Sequence, residues 1–255
     1  MIDFQNIKFR ASSWGNLLTE PQTKADKEAG RLSKSCIGEL IKIYNMEVYG
    51  RKRDITTNKM IKGKAGEPES IKLFSVVDGE FYVKNELQFE NDWFKGNPDI
   101  VHGISCWDIK TRWDLDSFMP KLIEDADKGE ELQLQVYFDL TGTISGGIAN
   151  TLIDCPIEIL MDEKRKLLYS MNVISEESPE YVKAAAELEH LLTFPDIPPQ
   201  ERVIKQPVTR NDELIGKMKA KVPAMRQWLE EFHDKNKHKR NLYVTLTYYE
   251  KRSRT

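Results

Sequence analysis

Asp108 and Lys110 stand two residues apart in Trp107-Asp108-Ile109-Lys110-Thr111-Arg112, and Asp99 lies nine residues earlier, after Gly96-Asn97-Pro98. On a strand, residues two apart face the same way, so Asp108 and Lys110 share one face while Trp107, Ile109 and Thr111 share the other. A hairpin through His102-Gly103 brings the Asp99 strand alongside and makes Asp99 and Asp108 near neighbours. Two carboxylates this close call for a cation. Magnesium is held in this manner, by a few carboxylates plus water, and it serves phosphodiester hydrolysis by activating water and neutralising charge on the phosphate. A lysine on the same face can orient the attacking water or stabilise the developing negative charge.

A third carboxylate is expected from the run Gly63-Lys64-Ala65-Gly66-Glu67-Pro68, where small residues let a helix approach a sheet closely; Glu67 is the candidate and Glu69 the reserve. Further on, Gln133 and Tyr137 are four apart and share one helix face, offering an amide and a phenol to a substrate backbone or to water, whereas Gln135 points elsewhere. Taken alone, Asp108 and Lys110 would read as a cross-strand ion pair, and Asp162-Glu163-Lys164 is another acid-x-lysine spacing with no chemistry attached. The order Glu67, Pro98-Asp99, Asp108-x-Lys110, each on a suitable element, favours a site.

The elements that must position these residues follow from hydrophobic period. Ile37, Leu40, Ile41 and Tyr44 predict a helix within residues 25–47, and Ile61 to Val77 a second, with Pro68 marking a kink or a new helix start. From Phe81 to Arg112 the period becomes two, in segments divided at Asn91-Asp92, Asn97-Pro98 and His102-Gly103, which predicts a β-meander. Residues 130–140 return to helical spacing, and 143–153 form a glycine-containing, β-branched strand. Beyond them, 157–171 reads as a helix with a hairpin at 162–166 as its rival. Residues 179–193 and 211–234 are helices, a strand surrounds Val203, and Leu242 to Tyr249 alternates like a terminal strand. The run Met218, Val222, Met225, Leu229 and Phe232 is expected to pack into a core.

The 255 residues allow one sizeable core with an appendage, and 40% hydrophobic with 31% charged residues belongs to a globular chain. No stretch approaches the ~20 apolar residues of a membrane span, so a cytoplasmic protein is expected. Cys36, Cys106 and Cys155 are widely spaced and suggest neither a disulfide framework nor a zinc site. A net charge of −3 does not point to nucleic acid by itself, although Arg51-Lys52-Arg53, Lys59 to Lys64 and Lys237 to Arg240 are local basic runs.

Glu67, Pro98-Asp99, Asp108-Ile109-Lys110 and Gln133-x-x-x-Tyr137, in this order, resemble the PD-(D/E)xK nuclease superfamily, specifically its phage-type alkaline exonucleases, YqaJ-like recombinases and RecB-like nucleases. The resemblance spans residues 8–155. It implies an α/β fold: a central mixed sheet flanked by helices in a restriction-endonuclease-like core at 1–155, with a mostly helical extension at 156–255 packed on that core. It implies that Glu67, Asp99, Asp108 and the Ile109 carbonyl hold magnesium, with manganese as a substitute, that Lys110 assists catalysis, and that Gln133 and Tyr137 contact substrate. Linear double-stranded DNA degraded from an end is the implied substrate, and a single-strand annealing protein the implied partner, with the chain acting alone or as an oligomer. A serine near the N-terminus contacts the terminal phosphate in such enzymes; Ser12 matches, with Ser13 the alternative and a helix cap the competing role. The cysteines do not form the cluster that the iron–sulfur relatives carry. An endonuclease of the same superfamily and a catalytically silent DNA-binding subunit are the competing functions.

Overall fold

The computed structural model describes residues 2–51 and 56–252, with 238–252 as backbone only. Lys52 and Arg53, and the side chains of His238 to Arg240, therefore lie outside the described residues. In chain order the elements are β1 (Phe9–Arg10), α1 (Trp14–Leu17), α2 (Lys24–Glu28), α3 (Lys34–Tyr49), α4 (Asn58–Ala65), α5 (Glu67–Asp78), β2 (Phe89–Glu90), β3 (Phe94–Gly96), β4 (Ile100–His102) and β5 (Ser105–Thr111). They continue with α6 (Leu115–Phe118), α7 (Lys128–Thr141), β6 (Ser145–Thr151), α8 (Ile157–Ser170), α9 (Pro179–Leu192), β7 (Val203–Thr209) and α10 (Asp212–Arg252). The result is an α/β fold with mixed sheets flanked by helices and a helical C-terminal segment. Among the described residues no helix is long and apolar enough to cross a membrane.

Four strands form the main sheet in the order β4-β5-β6-β7, with β5 and β6 parallel and the outer pairs antiparallel. A smaller sheet has the order β1-β3-β2. The chain turns from β4 into β5 through Gly103-Ile104; Gly103 takes φ 58, a left-handed conformation that glycine adopts without a Cβ clash. Residues paired across a ladder share a face, so the register of β5 with β6 and β7 aligns Lys110 with Asn150 and Ile204, and Asp108 with Ile148 and Gln206. Trp107 and Ile109 point the other way and pack with Ile71, Phe74, Tyr82, Ile100 and Ala149 beneath α5. The larger core lies on the α7 side and includes Trp14, Phe94, Val136, Phe138 and Ile148. Met218, Val222, Met225 and Leu229 of α10 are fully buried in it, with Phe232 partly buried against it.

Pro68 starts a new helix rather than kinking one, because α4 ends at Ala65 and the proline falls in the first turn of α5, where a missing N–H costs nothing. Asp162 to Lys166 is helical within α8, whose Ile159 and Leu160 are buried; the rival hairpin does not form. Two expectations are corrected. The meander over 81–112 is divided between the two sheets at Asn97-Pro98, and residues 81–88 contribute no strand. There the backbone N–H of Asn85 donates to the Asp99 carbonyl while its side-chain amide donates to Leu87, Asn97 and Pro98, a local network that replaces a ladder. The terminal strand at 242–249 is instead the last part of α10. Alternation makes a strand only beside an available edge, whereas an established helix adds each further turn without a new nucleation cost.

Candidate active site

β5 runs through the middle of the main sheet and carries the two residues from which the sequence argument began. Asp108 is 2% exposed. Its Oδ1 accepts from the Gln133 amide at 3.1 Å, and the Lys110 ammonium lies 2.7 Å from its Oδ2. Among the described residues no other donor reaches this buried oxygen. Asp99 immediately precedes β4, where Ile100 pairs with Trp107, so Asp99 and Asp108 occupy the next position of the same antiparallel ladder. Asp99 Oδ2 accepts from the Ile109 N–H at 2.7 Å. Burial, and then the charge of Asp108, push the Asp99 carboxyl well above the usual carboxylate range. Burial works to lower the Lys110 pKa, yet the Asp108 carboxylate outweighs it, and the ammonium is held above the ordinary lysine value.

Glu67 opens α5, whose start sits tight against the end of the sheet: a Cβ on Gly66 would lie 2.3 Å from Ile153 Cδ1. The Glu67 carboxylate lies 3.2 Å from the Lys84 ammonium and interacts electrostatically with Asp99. Glu69 is turned away, lining a separate hollow with Lys72, Ile153, Asp154 and Arg202. From α7, one Gln133 amide group reaches both Asp108 and the Tyr137 hydroxyl, at 2.8 Å from the latter. Burial and the Asp108 charge drive the Tyr137 phenol up, so it stays a neutral donor. Gln135, on the other side of α7, is buried; its amide donates to the Thr209 carbonyl and its carbonyl accepts from the Asn211 N–H, tying α7 to the start of α10.

Tyr137 also walls a hollow of about 240 Å³ with Arg10, Ser12, Gln88, Lys95 and Gly96. Gly96 lets the ring in, because a Cβ there would come within 2.7 Å of Tyr137 Cε1. The two candidate serines part company here. Ser12 is exposed on the wall of the hollow, whereas Ser13 is 9% exposed and donates to Glu39 at 2.9 Å.

Among the described residues no three carboxylate, histidine or cysteine groups already converge on one point as a metal cage. Glu67 leans to Lys84 and Asp108 to Lys110, so two ammonium groups offset two of the three carboxylates. The donor set still suits a hard divalent cation: every candidate ligand is an oxygen, Asp108 Oδ2 is buried with the Lys110 ammonium as its partner among the described residues, and Asp99 resists ionisation in the absence of added positive charge.

The backbone is similar to that of a phage-related exonuclease from Haemophilus somnus 129PT, with a TM-score of 0.72 and 25% identity over 90% of this chain and 96% of that one. The chain thus shares its fold with exonucleases of the phage type, the fold that the resemblance to the PD-(D/E)xK nucleases implied. An alkaline exonuclease from Laribacter hongkongensis shares the fold at a TM-score of 0.62 and 14% identity, covering 94% of this chain and 96% of that one. The same enzyme in complex with dAMP gives 0.61 and 14%, over 92% and 94%. No family model matches the sequence, and no curated protein matches it.

Around the cluster stand residues that the sequence argument passed over. Arg112, two beyond Lys110 on the same face, chelates Asn150 Oδ1 through Nε, at 2.7 Å, and Nη2, and lies 3.6 Å from Glu130. Period-two spacing from Asp108 through Lys110 pointed to Arg112 directly. Lys84 and Asn85 had no such signal, since they sat inside a segment whose alternation predicted a strand.

Proposed function

We propose that this chain is a divalent-cation-dependent exonuclease that degrades linear double-stranded DNA from an end, with magnesium as the working cation and manganese as a substitute. The observation that carries the proposal is the adjoining carboxylates Asp99 and Asp108 with the Lys110 ammonium 2.7 Å from Asp108, in a fold shared with a phage-related exonuclease. Its setting is phage-type recombination or DNA repair in the cytoplasm of a bacterium or phage-infected host, with a single-strand annealing protein as partner.

Glu67, Asp99, Asp108 and the Ile109 carbonyl are the groups that hold the cation. A cation there supplies charge neutralisation at the phosphate and activation of water. The Ile109 N–H fixes one oxygen of Asp99 and leaves the other to turn toward the cluster. Lys110, kept protonated beside Asp108, donates to the negative charge that grows on the phosphate oxygens. Gln133 steadies Asp108, and because the Tyr137 oxygen accepts from Gln133, the phenol proton remains free to donate to the substrate backbone. Ser12 on the adjoining hollow is the group offered to the terminal phosphate.

Time courses on one duplex in linear and closed circular forms, with magnesium, test this directly. Loss of the linear form alone is the expected result; equal cutting of the circle would make the protein an endonuclease of the same superfamily, and no cutting of either a silent DNA-binding subunit. Linear substrates carrying phosphate or hydroxyl at each 5′ end then report which strand shortens and whether the phosphate matters.

A further inference from the structure

Lys84 pairs with Glu67 at 3.2 Å, and its position is built rather than incidental. The neighbouring Asn85 is fastened to the segment that carries Asp99: its N–H donates to the Asp99 carbonyl at 2.8 Å, and its amide to the Pro98 carbonyl at 2.9 Å and to Asn97 Oδ1 at 3.0 Å. The Leu87 N–H closes the turn onto Asn85 Oδ1 at 3.2 Å. One short segment thus holds Asp99 and delivers an ammonium to Glu67, while Lys110 serves Asp108. The Lys84 side chain is 40% exposed against 27% for Lys110, so it stands at the more open rim of the cluster.

The charge balance gives this ammonium a task. With Glu67, Asp99 and Asp108 ionised, the ammonium groups paired with them, Lys84 and Lys110, leave one net negative charge on these five groups; Glu130 pairs with Arg112, and Glu86 acts on Lys84 from outside the set. A divalent cation turns that into one positive charge, the complement of one phosphodiester. Without Lys84 the loaded cluster would be neutral. Glu67 cannot serve cation and ammonium equally, so Lys84 is the group released as the carboxylate turns inward.

We propose that Lys84 is a DNA-contacting residue whose ammonium passes from Glu67 to a backbone phosphate of the bound strand at the rim of the carboxylate cluster. This rests on the nuclease function proposed above. The test is equilibrium binding of a fluorescein-labelled, 5′-phosphorylated duplex, with calcium replacing magnesium, across a series of potassium chloride concentrations. One lost phosphate contact makes the slope of log affinity against log salt shallower by about 0.9 on duplex or 0.7 on a single strand. Lys84→Gln should show that change and, in magnesium, a fall in kcat/KM of about tenfold, the scale of one hydrogen bond to a charged group. Lys84→Arg should retain the wild-type slope. Lys72→Gln, on the hollow beyond Glu69, removes the same charge and should leave the slope alone. A Lys84→Gln slope equal to wild type, in a protein that does cut DNA, overturns the role of Lys84 and leaves the nuclease assignment standing. A wild-type protein that neither binds nor cuts DNA overturns both.

Discussion

Replacing Gly96 by alanine tests how rigidly the site is held, because the added methyl meets Tyr137 and nothing in the chemistry changes. The new Cβ would sit 2.7 Å from Tyr137 Cε1 and 3.2 Å from Ala11 Cβ, whereas ordinary contact begins at 3.4 Å. The Tyr137 ring must therefore retreat by about 0.7 Å, the difference between 3.4 and 2.7 Å. Tyr137 is 5% exposed, so it has little room to move, and overpacking of this kind costs about 1–3 kcal/mol. The displacement passes to the Gln133 amide, which bridges the Tyr137 hydroxyl and Asp108 Oδ1, and so reaches the carboxylate. A misplacement approaching 1 Å in a catalytic group can cost on the order of 100-fold, so we expect kcat to fall by about 10- to 100-fold. Denaturant melts should show the stability loss, and single-turnover cleavage of a linear duplex the rate loss. Tyr137→Phe, which keeps the ring and removes the hydroxyl, is the control and should lose rate without the overpacking penalty. Full activity together with wild-type stability in Gly96→Ala would refute the coupling from glycine through phenol and amide to Asp108.

Other perturbations separate the roles within the cluster. Lys110→Ala is expected to abolish cleavage while leaving DNA binding largely intact, whereas Asp99→Asn should weaken cation binding as well, read by calorimetry with manganese; unchanged turnover in either variant removes the site assignment. The raised Asp99 carboxyl makes a pH prediction. The folded state holds that proton more tightly than the unfolded chain does, so the cation-free protein should lose stability as pH climbs from the ordinary carboxylate value of 3.8 to about 7. Chelator-treated melts at mildly acidic and alkaline pH measure this, and Asp99→Asn should flatten the difference. A fragment ending at Cys155 lacks β7, which pairs with β6 along its length, and the buried methionines of α10. It should show no cooperative melt, and a folded, soluble fragment would overturn that expectation.

Strand period and turn chemistry are local properties, which is why the placement of the central candidate residues was legible in the sequence. Asp108 and Lys110 share a face because side chains alternate, and Asp99 comes alongside because Gly103 permits a two-residue turn. Glu67 could be placed at a helix start from Gly66 and Pro68 alone. Three matters were not legible. Residues 81–88 alternate like a strand yet form none, because Asn85 found the Asp99 segment and its hydrogen bonds took the place of a ladder. Leu242 to Tyr249 alternate too, and continue a helix. Ser12 and Ser13, adjacent and chemically identical, are told apart by packing: Ser12 is exposed on the wall of a hollow, and Ser13 is buried against Glu39.

What the sequence determined by itself about this protein is therefore the set of residues whose relation depends on neighbours along the chain: the charged face of β5, its hairpin partner Asp99, and the helix that opens on Glu67. The tertiary structure decided which carboxylate meets which ammonium. Lys84 reaches Glu67, Arg112 reaches Asn150 and Glu130, and Tyr137 settles over Gly96 through contacts between segments that share no local period. Such contacts depend on how sheet and helices pack, and no short stretch of chain encodes that.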